Sequence, residues 1–501
     1  MISFDVGTLL PALAPIFGAL VVLVLDVLDT RGQRVHYAIA FISLVLGMFG
    51  TFGGLGAPTG DELQTLCLPG TATCFYTATS LTTTLQLAAL LAAAVTLLLA
   101  WPAERAEETG RTAVTVALLL AATGGAVGIA GARDLGSWLV TLELATLPVV
   151  ALAALPGTRR ALAGAVQLVT TSLVSFAMLA LAAGCWYAAT GSPVLGSGPA
   201  LAATSTPQRA LLALAVVLVL GGIAFKLSLV PFHAWTPTTY AGSPLPVTVF
   251  LATVSKVAAL AALLVVVSAV SALGRSALIA VAALAIASMT LGNLMALRQT
   301  DVVRLLAWST VGQAGWVVVP LLSVSAFGSR ASAAYLLTYV VATLVAFTVV
   351  VMTITALAGS SAGAGRGREL EAYRGLVRTR PWTAAALLVA LTSLAGLPPG
   401  VLGLIGKVVA LRPVLAEGWW VIAVLAAANA VLGVAVYLRW VRVLLQPGLE
   451  APVAAEVVAP RSGSLAARVR AHPSHAVALG LSSVLLILGS VQPQLLLGLL
   501  G

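Results

Sequence analysis

An all-α polytopic membrane protein with about fourteen transmembrane helices, including two inverted five-helix repeats that each contain a broken helix, is the fold class this sequence predicts. Three observations predict it. The 501 residues are 60% hydrophobic and only 8% charged, with a mean hydropathy of +1.08, whereas a soluble domain carries roughly 25% charged residues. The apolar residues gather into runs of about 20, the length needed to cross a bilayer as a helix. Two of those runs are broken by proline near a lysine, in "GGIAFKLSLVPFHAW" (221–235) and "LAGLPPGVLGLIGK" (394–407).

The runs lie at 6–28, 36–56, 79–101, 113–131, 135–156, 162–188, 209–230, 245–271, 276–297, 302–324, 332–358, 382–411, 419–444 and 475–499. The first is expected to be retained, because no short Arg-flanked segment with a small-residue cleavage site opens the chain. Residues 1–112 hold helices one to three, 113–271 the first inverted repeat and 276–445 the second. Residues 446–501 hold a basic cytoplasmic loop and the final helix. Loops after odd-numbered helices carry 18 arginines (31, 34, 105, 111, 159, 160, 298, 304, 366, 368, 374, 378, 380, 439, 442, 461, 468 and 470). The alternate loops and helix ends carry five (133, 209, 275, 330 and 412). Basic residues mark the cytoplasmic side, so both termini are expected to face outward. The net charge of +10 would suggest nucleic acid in a soluble chain; here it follows from cytoplasmic loops, and no nucleic-acid partner is expected. Cys67, Cys74 and Cys185 are too few for a cysteine-ligated iron–sulfur cluster, which normally takes four. Cys67 and Cys74 fall in an outer loop, where a disulfide and two free thiols both fit.

The basic residues are 23 arginines and three lysines, Lys226, Lys256 and Lys407, and every lysine falls inside an apolar run. Arginine keeps its proton under almost all conditions, whereas a buried lysine can gain and lose one. A lone lysine near a helix end often snorkels to the interface. Three deep ones, at about 3 kcal/mol each on insertion scales, point instead to function. Of the 16 acidic residues, Glu143 in "WLVTLELATLPVVAL" is the one in the middle of a run, which makes it the candidate counter-ion for a lysine. A neutral Glu143 bonded to backbone freed by Pro148 is the other reading.

Pro231 lacks an N–H and so frees the carbonyl of Leu227, next to Lys226. Pro398 and Pro399 do the same ahead of Lys407, where Gly400, Gly403 and Gly406 permit close approach. Irregular backbone at membrane depth survives only inside protein or beside water. Paired broken segments in corresponding parts of two halves are the pattern of inverted-repeat transporters, with the seventh and twelfth helices equivalent. His233 either relays protons or caps the break. "GVLGLIGK" has the wrong spacing for a phosphate loop and its lysine precedes Val408 rather than Ser or Thr. There is no dinucleotide fingerprint, no metal-ligand cluster and no extramembrane segment long enough for a catalytic domain.

At these residues the chain resembles the antiporter-like proton-translocating subunits of respiratory complex I, a family related to Mrp-type sodium/proton antiporter subunits. The stretches that carry the resemblance are "LVTLELATLPVVAL", "GIAFKLSLVPFHAWTPTTYAGSPLPVTVFLATVSKVAAL", "TDVVRLLAWSTVGQAG" and "LTSLAGLPPGVLGLIGKVVAL". With the fourteen-helix layout they cover nearly the whole chain. The "HAWTPTTYAGSP" loop, Lys256 and Lys407 are most similar to the N-type branch; the M-type usually carries a glutamate at the last position. The acidic residues usual in that loop are replaced here. The resemblance implies that Glu143 and Lys226 form a modulating ion pair, that Lys256 is a relay and that Lys407 is the terminal proton-loading site. The second half has no intramembrane acid, its equivalent region reading "LLAWSTVGQAG"; in the resembling complexes a neighbouring subunit's glutamate can complete that pairing.

The resemblance further implies a multi-pass subunit of the bacterial plasma membrane that binds no cofactor itself. FMN, iron–sulfur clusters and quinone are expected in partner subunits. The partners implied are a neighbouring antiporter-like subunit M, small membrane subunits and, indirectly, the peripheral redox arm. Protons would load from the cytoplasmic side and leave to the outside. At about 6 Å and an effective dielectric near 20, two charges couple by roughly 3 kcal/mol, so moving Glu143 relative to Lys226 would change the lysine's hold on its proton. The runner-up is an Mrp-type cation/proton exchanger without electron transfer. A membrane enzyme acting on a lipid-linked substrate would need clustered acidic or metal-binding residues. One buried carboxylate among three lysines favours protons over a metal cation.

Overall fold

The computed structural model describes residues 4–28, 32–55, 62–69, 73–101, 109–195, 206–272, 274–358, 363–447, 472–494 and 498–500. Arg31, Arg105, Arg461, Arg468 and Arg470, and residues 448–471 of the expected basic loop, lie outside the described residues. Several helices start where the sequence supplies an acceptor for orphan N–H groups. Asp5 accepts from Gly7 and Thr8 to open α1 (Val6–Val27). α2 is Gln33–Thr51. A two-stranded antiparallel hairpin follows, β1 (Leu63–Cys67) and β2 (Cys74–Ala78), with Cys67 opposite Cys74. Of the two states open for these thiols, the disulfide is the one found.

Thr79 and Thr82 form a capping box at the start of α3 (Ser80–Ala100), and α4 spans Thr109–Gly131. Asp134 caps α5 (Leu135–Leu144), which a break separates from α6 (Leu147–Ala154). Thr158 caps the 32-residue α7 (Arg159–Thr190). α8 (Thr206–Leu227) stops before Pro231, and the chain restarts as α9 (Trp235–Gly242) and α10 (Leu245–Ala252). Next come α11 (Val254–Ala272) and α12 (Arg275–Leu297). Asp301 caps α13 (Val302–Val318). The 33-residue α14 (Ala326–Ala358) is followed by α15 (Pro381–Ala395), α16 (Val401–Ala416), α17 (Trp420–Leu445) and α18 (Pro473–Val491).

This is an all-α polytopic membrane protein. Among the described residues, thirteen spans are long and apolar enough to cross a membrane, with α5–α6 and α10–α11 each counted as one. The twelfth expected segment, 382–411, is two shorter helices, because Gly396 takes a left-handed φ of 81° and Pro398 and Pro399 follow. That break is the expected one; the run 245–271, expected as one helix, is interrupted at Thr253, in the turn before Lys256.

α14 runs through the middle and packs against α13, α15, α16 and α18; its residues from Ala331 to Val351 are almost all buried. At the periphery α1, α7 and α17 turn Leu20, Val166 and Val431 outward, the placement a lipid-facing surface requires.

Two glycines bring the broken segments together. A Cβ on Gly125 of α4 would stand 2.4 Å from the backbone nitrogen of Ala145, at the α5–α6 break. One on Gly403 of α16 would stand 1.6 Å from the carbonyl oxygen of Ser393 in α15. Gly403→Ala is therefore expected to push α15 and α16 apart, destabilising the protein by about 1–3 kcal/mol. Thermal inactivation of membranes checks this against Leu404→Ala, an exposed position on the same helix with a smaller expected effect.

Candidate proton-handling site

The site begins where α5 fails to continue into α6. Pro148 occupies the first turn of α6, a position whose N–H would have no intrahelical acceptor in any residue. The break therefore falls just before it, at Ala145 and Thr146. Glu143 in the last turn of α5 and Thr146 just beyond both reach Lys226: its Nζ donates to Glu143 Oε1 at 2.9 Å and to Thr146 Oγ1 at 2.8 Å. Of the two readings open for Glu143, the structure contains the ion pair. The Lys226 side chain is 5% exposed and that of Glu143 13%, so the carboxylate is the member nearer the periphery.

Lys226 lies in the last turn of α8, where the helical ladder runs out. The sequence pointed to the carbonyl of Leu227 as the group freed by Pro231. The bonds found fall one and two residues earlier, because α8 already tightens there: Ser228 N–H returns to Phe225 O and Leu229 N–H to Ala224 O. Trp235 Nε1 donates to Phe225 O at 3.0 Å, and Lys256 Nζ donates to Lys226 O at 2.9 Å. Lys256, 2% exposed, also donates to Ser228 Oγ at 2.6 Å, and Thr236 Oγ1 donates to that same hydroxyl at 2.6 Å. The Trp235 ring lies 4.9 Å below its ammonium.

Lys407, in the second turn of α16, donates to the carbonyl of Ala395, the last residue of α15, and its Nζ stands 5.4 Å over the Trp316 ring. Lys256 and Lys407 thus share a device. Each places an ammonium against the terminal carbonyls of a broken helix, the negative end of its dipole, with an indole face alongside. Among the described residues, no carboxylate is within ion-pair distance of either. With 5%, 2% and 7% exposure for Lys226, Lys256 and Lys407, none of the three snorkels to an interface.

His233 lies in the irregular turn between α8 and α9. Its ring centre is 5.3 Å from that of Trp308, and among the described residues no hydrogen bond links its imidazole to any of the three lysines. Four contributors were missed in the sequence: Thr146, Ser228, Trp235 and Trp316. Only Thr146 left a signal, three residues after Glu143 and so on its face of the helix. Among the described residues no group of three metal-ligating side chains occurs.

The "NADH:quinone oxidoreductase/Mrp antiporter, TM" family matches residues 132–433, which include all of these groups. NADH-quinone oxidoreductase subunit N of Salinispora tropica is 39% identical over 459 residues, covering 88% of this chain and 85% of that one. Subunit N 2 of Streptomyces griseus is 34% identical and covers 99% and 93%. Among solved structures, a chain of respiratory complex I from Thermus thermophilus superposes with a TM-score of 0.77 at 30% identity, over 97% of this chain and 98% of that one. A chain of the Mrp complex from a Dietzia species has a TM-score of 0.80 at 22% identity, over 99% and 96%, a likeness of fold. The chain therefore belongs to the NADH:quinone oxidoreductase/Mrp antiporter transmembrane family, among relatives named NADH-quinone oxidoreductase subunit N.

Proposed function

We propose that this chain is a proton-translocating membrane-arm subunit of a bacterial NADH-quinone oxidoreductase, moving protons along Glu143, Lys226, Lys256 and Lys407 while partner subunits carry out electron transfer. The observation that carries the reading is the buried ion pair at 2.9 Å, with Lys256 bonded to the backbone of the lysine in that pair. At an effective dielectric near 20, opposite charges about 3 Å apart attract by about 6 kcal/mol and charges about 6 Å apart by about 3. Drawing Glu143 away by that much weakens the hold of Lys226 on its proton by about a hundredfold. Lys226 can then release its proton toward Lys256, which is bonded to the Lys226 backbone carbonyl and to the Ser228 hydroxyl. His233 serves as a side branch of this route.

In this proposal residues 113–271 and 276–445 are the two inverted repeats, and both termini face outward. Redox energy reaches Glu143 from neighbouring subunits, among them an antiporter-like subunit M, and FMN, iron–sulfur clusters and quinone belong to partners. The second reading, an Mrp-type exchanger subunit, draws on the fold likeness to the Mrp complex. Co-purification separates the two. Affinity isolation of this chain is expected to bring flavin and iron–sulfur proteins with it. Recovery of small membrane subunits alone would favour the exchanger.

A further inference from the structure

The stretch "LLAWSTVGQAG" offers no acid to the second half, yet it carries Gln313, which is 5% exposed. Its single carboxamide joins four helices. Oε1 accepts from Tyr335 OH of α14, while Nε2 donates to Tyr437 OH of α17 at 2.8 Å and to Leu394 O of α15 at 3.2 Å. Leu394 immediately precedes Ala395, whose carbonyl holds Lys407. Trp316, three residues after Gln313 on the same helix, stacks on Tyr335 at 5.7 Å and carries the Lys407 ammonium on its face.

In the other direction, Tyr437 OH shares a hydrogen with Ser309 Oγ at 2.5 Å. The neighbouring Thr310 Oγ1 pairs with Tyr339 OH at 2.9 Å, which in turn donates to Ala252 O at 2.9 Å, one turn before Lys256. Two hydrogen-bonded groups of neutral polar side chains, Gln313–Tyr437–Ser309 and Thr310–Tyr339, thus lie between the segments that carry the two lysines. Burying so many polar groups in an apolar bundle is costly unless each is bonded, and the amide supplies the bonds to Tyr335, Tyr437 and Leu394.

Both Nε2 hydrogens are spent, and turning the amide over would leave Leu394 O without its donor and facing Oε1. One orientation is therefore fixed, and with it the direction of both tyrosines: Tyr335 donates to the amide, and Tyr437 accepts from it and keeps its own hydrogen for Ser309. We propose that Gln313 is the positioning residue of the path between Lys256 and Lys407. It aims the hydroxyls along which water conducts, and it holds no charge that would trap a proton between the amines. Water beside Lys256 takes the proton of its ammonium, each hydroxyl or water accepts one hydrogen and passes on another, and the neutral Lys407 amine takes the proton at the far end, while the carbonyls of Ala252 and Leu394 only orient their donors. Gln313 has no net gain or loss.

This inference rests on the lysine path proposed above, and the test separates the two. In the assembled complex in sealed vesicles, Gln313→Met is expected to lower the proton-to-electron ratio at least twofold while uncoupled NADH oxidation persists. Gln313→His, which can both accept from one tyrosine and donate to the other, is expected to restore most of the ratio. Lys407→Ala runs in parallel. If Lys407→Ala lowers the ratio and Gln313→Met does not, the positioning role is overturned and the lysine path stands. If neither lowers it, the path itself falls. A histidine variant no better than methionine also contradicts positioning. Should Gln313→Met fail to assemble on a native gel, Tyr437→Phe carries the test: a lowered ratio supports the role and an unchanged one overturns it.

Discussion

Glu143→Ala is expected to abolish most proton translocation and to destabilise the protein by about 3–5 kcal/mol, because it leaves Lys226 as an unpaired charge in the interior. Lys226→Ala should do the same in mirror image, stranding the carboxylate. The two losses share one cause, so they should not add. In the double variant neither charge remains to be desolvated, and the amount of assembled complex is expected to recover toward that of the unaltered protein. Proton pumping should not recover with it, since the switch between paired and separated charges is gone. Quantifying assembled complex alongside vesicle acidification distinguishes a structural ion pair from a working one. Recovery of both in the double variant would assign the pair to folding alone.

The second large effect is expected at Lys407. Its ammonium rests on the terminal carbonyl of α15 and over the Trp316 ring, with no carboxylate within ion-pair distance among the described residues. Among the described residues only a dipole end and an aromatic face hold the charge, an arrangement from which a proton can leave. Lys407→Arg retains a cation of similar reach, but a guanidinium does not release its proton. Both Lys407→Ala and Lys407→Arg are therefore expected to lower the number of protons moved per NADH several-fold, with uncoupled electron transfer retained. An arginine variant that pumps normally would mean that this position needs a fixed charge rather than a proton carrier.

Much of this architecture is legible in the sequence because the bilayer imposes it. Apolar runs locate the spans, and proline beside lysine locates the breaks at α8 and α15. The rarity of intramembrane acids left Glu143 as the candidate partner. What stayed hidden depends on neutral groups. The break at Thr253 has no proline to announce it, and the β1–β2 hairpin is five residues a side. Ser228 and Gln313 are common polar residues with no local pattern of their own, and Thr146 has only its spacing from Glu143. Their importance comes from neighbours distant in the chain: Thr146 lies 80 residues from Lys226, and Gln313 lies 124 from Tyr437. Single-residue chemistry likewise identified Pro231 as a helix breaker, but the carbonyls that Trp235 and Lys256 bond, those of Phe225 and Lys226, lie just before the Leu227 carbonyl it pointed to.

Counting protons moved per NADH oxidised, in sealed vesicles carrying Lys226→Met, Lys256→Met or Lys407→Met in turn, tests most directly whether the three buried amines are the carriers. Each substitution is expected to lower that ratio while leaving uncoupled NADH oxidation within about twofold of the unaltered complex. Three ratios indistinguishable from that of the unaltered complex would contradict a proton path through these lysines.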